Sequence, residues 1–180
     1  EVAIERYQVM DRKNDTFTTE EKINFIHQAL DKWGSWKRSN ILKNYEAALT
    51  RPGYTVGGDG KVINYRIVTP MKAQQLPLRN LRNINGLNLK VYAVKAKGDI
   101  DINPDYEYGY KKIKPLLGKV VYETSRQFSA HQPYEQFEDS LTIEGLPAGV
   151  YMLEFSTTPN TAVVRRLYFV TDIFVMEETS

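Results

Sequence analysis

The chain has 180 residues, 42% hydrophobic and 26% charged, the balance of a chain that can bury a core and not of a disordered one. Its 24 basic and 22 acidic residues leave a net charge of +2, and the longest basic clusters are only Lys111-Lys112-Ile113-Lys114 and Arg165-Arg166, so no electrostatic footprint for nucleic acid is present. The absence of cysteine excludes disulfides, thiolate metal sites and cysteine nucleophiles.

The first third reads as helical. Thr18 with Glu21 three residues on is a capping-box pattern. Ile23, Ile26, Leu30 and Trp33 then recur at helical spacing, and Gly34 is positioned to stop the helix. Ser35 is a candidate cap for a second helix carrying Ile41, Leu42, Tyr45, Ala48 and Leu49, which Arg51-Pro52-Gly53 ends. These spacings predict a helical hairpin, roughly 19–33 and 36–50, with a helical turn or two before it. Gly57-Gly58-Asp59-Gly60 suits a turn or joint. A phosphate loop would require a helix after it, whereas Lys61 leads into Val62-Ile63-Asn64-Tyr65, which reads as strand.

From Val62 onward the period falls to two. Ile63, Tyr65 and Ile67 alternate with polar neighbours. Leu76, Leu78 and Leu81 follow, and Pro77 suggests an edge strand. Leu87, Leu89, Val91 and Ala93 share a face, and so do Leu141 and Ile143. Val120 and Tyr122 open a strand towards Phe128. Val150, Met152 and Glu154 point opposite to Tyr151, Leu153 and Phe155. Val163-Val164 and 167–175 supply the last strand or two. The pattern predicts a mainly β fold, an antiparallel β-sandwich of about seven strands after a helical N-terminal segment, with domains at 1–60 and 61–180. Residues 95–118, rich in Asp, Tyr, Lys and Pro, read as a long insert loop.

Residues 62–177 resemble the macroglobulin-like domain of bacterial alpha-2-macroglobulin family proteins. The stretches that carry the resemblance are Arg79-Asn80-Leu81-Arg82-Asn83-Ile84-Asn85-Gly86-Leu87-Asn88-Leu89-Lys90-Val91-Tyr92, then Leu141-Thr142-Ile143-Glu144-Gly145-Leu146-Pro147-Ala148-Gly149-Val150-Tyr151-Met152-Leu153, then Leu167-Tyr168-Phe169-Val170-Thr171-Asp172-Ile173-Phe174-Val175. The helical lead-in is similar to the segment before the first such domain in large Bacteroidetes members. Immunoglobulin-like and fibronectin-like modules share the Leu-x-x-Gly-x-Tyr turn. In that turn Pro147 sets φ, Gly149 accepts a backbone that other residues resist, and Tyr151 buries its ring with the hydroxyl at the rim.

The resemblance implies a non-catalytic part of a larger exported, protease-trapping or envelope-scaffold protein. It would be periplasmic or anchored at the outer membrane or cell surface, with neighbouring domains of the same chain as partners and a protease as target of the whole. With no cysteine the chain cannot carry the family's internal thioester. A start at Glu1 and an end just after an apolar strand lead us to expect a segment of a longer protein. No cofactor is implied.

Four constellations have a chemical reading beside a structural one. Asp99, Asp101, Asn103 and Asp105, with Glu107, alternate as calcium ligands do. Counted from Asp99, Pro104 and Tyr110 stand where a calcium loop wants glycine and glutamate, so a solvated acidic loop balanced by Lys111, Lys112 and Lys114 competes. Tyr106, Tyr108 and Tyr110 alternate too. On an exposed strand edge they would form a platform for sugar rings or a protein partner, which gives a carbohydrate-binding or adhesin module as the alternative function. His27 and His131 fall in different predicted units, and no Gly-x-Ser-x-Gly elbow accompanies them. Glu135, Glu138 and Asp139 lie close together, as do Glu177 and Glu178, but no sequence feature holds either set in a cleft.

Overall fold

The computed structural model describes residues 1–12, 16–35, 37–57, 65–96, 100–129, 132–157 and 162–172. Gly58, Asp59, Gly60, Lys61, Val62, Ile63, Asn64, Asp99, His131, Ile173, Phe174, Val175, Glu177 and Glu178, all singled out above, lie outside them. The chain forms two compact units. One is Glu1–Tyr54 with Asn80–Asn83 and Ser129–Phe137, and the other is Thr55–Arg79 with Ile84–Phe128 and Glu138–Ser180.

The first unit is built on three helices, α1 (Val2–Arg12), α2 (Thr19–Trp33) and α3 (Ser39–Thr50). The capping box forms as its residues require. Glu21 N–H donates to Thr18 Oγ1 at 3.2 Å, and Thr18 N–H donates to Glu21 Oε2 at 2.8 Å. Ile23, Ile26 and Ala29 of α2 pack with Ala3, Ile4 and Tyr7 of α1 and with Leu42 and Leu49 of α3. Tyr7 stacks on Tyr45, ring centroids 4.4 Å apart. The turn or two expected before the hairpin is a full helix, because Ala3, Ile4 and Tyr7 give it its own apolar face. Ser35 does not cap α3. The N-cap is Arg38, without a side-chain cap bond, and Gly34 ends α2 with an ordinary right-handed φ of −64°.

The second part of the chain is a sandwich of two sheets. The smaller has the order β1 (Gly53–Val56), β3 (Gln74–Arg82), β6 (Phe137–Ile143). The larger has the order β2 (Tyr65–Val68), β8 (Val163–Val170), β7 (Gly149–Thr157), β4 (Gly86–Val94), β5 (Leu117–Gln127). The antiparallel expectation holds for β4, β5, β7 and β8, but β2 lies parallel to β8, with Tyr65 opposite Leu167 and Val68 opposite Val170. The run that follows α3, from Gly53 to Val56, adds strand β1, which the spacing does not predict.

Pro77 is a further correction. It sits in β3, the central strand of its sheet and not an edge. Its carbonyl accepts Gly57 N–H at 3.1 Å, one residue beyond the end of β1. The nitrogen of a strand residue points the same way as its carbonyl, so on that side the ladder has already ended and needs no donor from Pro77.

The alternation read from the sequence decides which side chains fill the sandwich. Leu76 and Leu78 of β3 and Leu141 and Ile143 of β6 are buried, as are Leu87, Leu89 and Val91 of β4 and Tyr151, Leu153 and Phe155 of β7. Met152 and Leu167 point to the other face of the large sheet, yet they are buried too. The reason is that residues 95–118 are not a plain loop. They contain α4 (Glu107–Ile113), a 3₁₀ turn at Lys114–Leu116 and the start of β5. Ile113, Val94, Met152 and Leu167 form a second core, flanked by Tyr92, Ile100, Tyr110 and Leu116. This segment covers the outer face of the large sheet as a strap.

Candidate functional site

The acidic and tyrosine runs fall on the strap, and Pro147, Gly149 and Tyr151 form the corner that enters β7. Helix α4 forms because Glu107 stands in its first turn and Lys111 and Lys112 in its last, matching the helix dipole. Lys111 Nζ also meets Glu107 Oε1 at 3.0 Å. Pro115 then tightens the chain into the 3₁₀ turn. Three contacts fix the strap to the sheet. Asp105 Oδ1 accepts Arg165 N–H at 3.0 Å, and Asp105 Oδ2 pairs with Arg166 Nη1 at 3.0 Å. The Arg165 guanidinium lies over the Tyr110 ring at 3.6 Å and pairs with Glu154 Oε2 at 3.0 Å. Gly109 presses against Asn103, where a β-carbon would stand 1.8 Å from the Asn103 carbonyl oxygen.

These contacts give the acidic run its place. Asn103 Oδ1 accepts Asp105 N–H at 3.0 Å, a local turn, and Asp101 is exposed. The Asp105 carboxylate is engaged by Arg165 and Arg166, while Asp99 lies outside the described residues. Among the described residues no three His, Asp or Glu side chains are gathered as a cation would require.

The tyrosines do not share a strand edge, since a helix replaces the extended segment. Tyr106 is the N-cap of α4, and Tyr106 and Tyr108 are 70% and 71% exposed. Lys112 Nζ lies 4.4 Å from the Tyr108 ring centroid. Tyr110 turns inward beneath Arg165. Residues two apart on a helix lie about 200° apart around its axis, so an alternating triplet cannot present one face. Burial, and then the Glu154 carboxylate, raise the pKa of nearby Tyr92.

The corner before β7 is braced by a tyrosine. Tyr151 Oη donates to the Pro147 carbonyl at 2.8 Å while the ring is buried, and burial raises the phenol's pKa. Such a bond back to the chain a few residues upstream is how tyrosine corners brace sandwich folds. Gly145 supplies a second close approach. A β-carbon there would stand 2.3 Å from the Met71 carbonyl carbon, and Met71 N–H donates to the Leu146 carbonyl at 2.9 Å.

No family model and no curated protein matches this chain. Among solved structures, a superoxide reductase (neelaredoxin) from Ignicoccus hospitalis is similar at 8% identity and a TM-score of 0.31, covering 67% of this chain and 81% of that one. The CARDB domain of a Pyrococcus furiosus protein, solved in complex with di-metal ions, is similar at 14% identity and a TM-score of 0.29, covering 67% and 89%. Likenesses this slight carry neither family nor activity.

Glu135, Asp139 and His27 have structural partners. Glu135 Oε1 accepts Thr19 N–H at 2.7 Å, at the N-terminus of α2, and lines a cleft of about 570 Å³ with Asp11, Lys22 and Arg82. Lys22, almost wholly buried, pairs with Asp11 at 3.4 Å. Arg82 Nη1 donates to the Ala48 carbonyl at 3.1 Å. Asp139 is gripped by Arg126 through bonds of 3.0 and 3.3 Å, and His27 stands 3.4 Å from Glu46. Arg165, Arg166 and Gly109 escaped the sequence reading. The one signal was Arg165-Arg166 inside an apolar strand, where one charge must face a sheet interior or find a partner.

Proposed function

We propose that this chain is a non-catalytic interaction module of a larger exported protein of the alpha-2-macroglobulin type, either protease-trapping or a scaffold of the envelope. The observation that carries the proposal is where the three family-like stretches fall. They supply β4, β7 and β8, neighbours in one sheet, and the Pro147–Tyr151 corner that leads from β6 into β7 is braced by its own tyrosine. A part that joins neighbours needs a rigid frame more than a cleft. Edge strands and exposed apolar helix faces would meet adjacent domains of the same chain, and a protease would be the target of the whole.

The test uses the parent protein. Intact parent should shield a bound protease from large protein substrates while leaving small peptides accessible, and deletion of residues 1–180 should weaken this without any loss of chemical step. A parent of one or two domains with no effect on any protease sinks the proposal.

One observation favours a second reading, a carbohydrate-binding or adhesin module. Tyr106 and Tyr108 are far more exposed than a core tyrosine, and Lys112 stands beside the Tyr108 ring. Glycan-array binding lost in both Tyr106→Ala and Tyr108→Ala would support it, whereas Tyr110 serves to hold Arg165.

A further inference from the structure

Helix α1 carries two faces. Ala3, Ile4 and Tyr7 are buried against α2 and α3. Val2, Glu5, Arg6 and Val9 form a second stripe on the opposite side, at the spacing of one helix face. Val2 is 61% and Val9 48% exposed, so the stripe presents apolar surface near both its ends. Among the described residues neither Glu5 nor Arg6 has an ion-pair partner.

The order of that stripe reads apolar, acidic, basic, apolar. It is symmetric about the point between Glu5 and Arg6. If a second α1 is laid antiparallel across it, Val2 meets Val9 at both ends, and Glu5 meets Arg6 twice at the centre. A surface that complements itself under a two-fold rotation in both hydrophobicity and charge is the requirement for an isologous dimer. We propose that this face of α1 is the contact of a two-fold dimer, with a second copy of the chain as its occupant.

The ground beside the stripe is shaped for this. A groove of about 560 Å³ follows the stripe itself and is lined by its four residues together with Met10, Phe17 and Phe25. At the Val2 end the stripe also borders an apolar pocket of about 260 Å³ shared with Trp33 and Leu42, and Trp33 is half exposed. Antiparallel pairing sets the Val2–Trp33 end of one copy over the Val9 end of the other copy's groove. A tryptophan entering an apolar groove beside paired charges is the usual anchor of a small interface. The seam covers only about three helical turns, below the area of a tight dimer, so association is weak and salt-sensitive. This inference gives the exposed α1 face to a second copy of the chain and leaves the edge strands and other helix faces to the neighbouring domains of the interaction-module reading.

Sedimentation velocity on the whole 180-residue chain over a wide concentration range is the test. The wild type should pass from monomer to dimer as concentration rises. Arg6→Glu and Glu5→Arg should each weaken the dimer by about tenfold or more, because symmetry counts every reversal twice. The double exchange Glu5→Arg with Arg6→Glu restores both pairs and should return the dimer to within about threefold of wild type. Trp33→Ala should weaken it while leaving the charge dependence intact. Unchanged far-UV circular dichroism separates these effects from unfolding. A chain that stays monomeric throughout, a dimer indifferent to single reversal, or a double exchange that fails to rescue each overturns the proposal.

Discussion

Gly109→Ala sets two physical effects against each other, and the structure decides the sign. In an exposed helix interior this change stabilises by about 1 kcal/mol, because alanine has less backbone freedom to lose. In α4 the added carbon would stand 1.8 Å from the Asn103 carbonyl oxygen and 2.7 Å from its carbon. Both atoms are backbone, so no side chain can swing aside, and α4 or the 101–105 turn must move by more than an ångström. Overpacking of this kind costs about 1–3 kcal/mol. A shift of α4 also loosens Ile113, which is wholly buried against Met152 and Leu167, at up to about 2 kcal/mol more. Subtracting the helix gain leaves a net loss of about 2 kcal/mol, or roughly a 4–8 °C fall in Tm for a chain this size. Urea unfolding followed by circular dichroism measures it. Gly53→Ala is the control, because nothing lies within 4 Å of its added carbon. A Gly109→Ala protein as stable as the wild type, or more so, would refute the close packing of α4 on Asn103 and with it the strap.

Three further outcomes are expected. Tyr151→Phe keeps the ring and removes the 2.8 Å bond to Pro147. Since water can reach the freed carbonyl at an exposed residue, the loss should be about 1 kcal/mol in chemical denaturation, and no loss would mean the corner is not braced. Thr18→Ala breaks the capping box of α2 and should lower stability by about 1 kcal/mol, read as reduced helical ellipticity on heating. Alkali should weaken the helical unit. The Tyr7 phenol is pushed up from 10.0 to about 12, first by burial and then by Asp11 and Tyr45. The folded state therefore holds its proton where the unfolded chain gives it up. That contribution is complete below pH 10 and drains away between about pH 10 and 12. Tyr7→Phe should flatten the loss in that window, and an unaltered pH profile would contradict it.

The helix α2 and the inward faces of β4, β6 and β7 were legible because each depends on a local rule. Thr18 and Glu21 reach each other within one turn, and Leu87, Leu89 and Val91 point one way on any extended strand. The tyrosine run departs from the strand edge its alternation suits for the opposite reason. Ile113 and Tyr110 gain more by covering Met152 and Leu167 than an extended solvated segment could, so residues 107–113 coil into α4, while the acidic residues 101–105 stay in a loop. Pro77 reads as an edge marker because the sequence cannot say where β1 stops.

Composition and periodicity alone thus established a sandwich with a helical lead-in, since burial of alternate side chains needs no knowledge of what lies across the core. Only the folded chain decided that β2 runs parallel to β8, that Asp105 and Tyr110 meet Arg165 sixty and fifty-five positions away, and that Gly109 must lack a side chain. Those facts depend on which distant segments come within a few ångströms, a distance that no local pattern encodes.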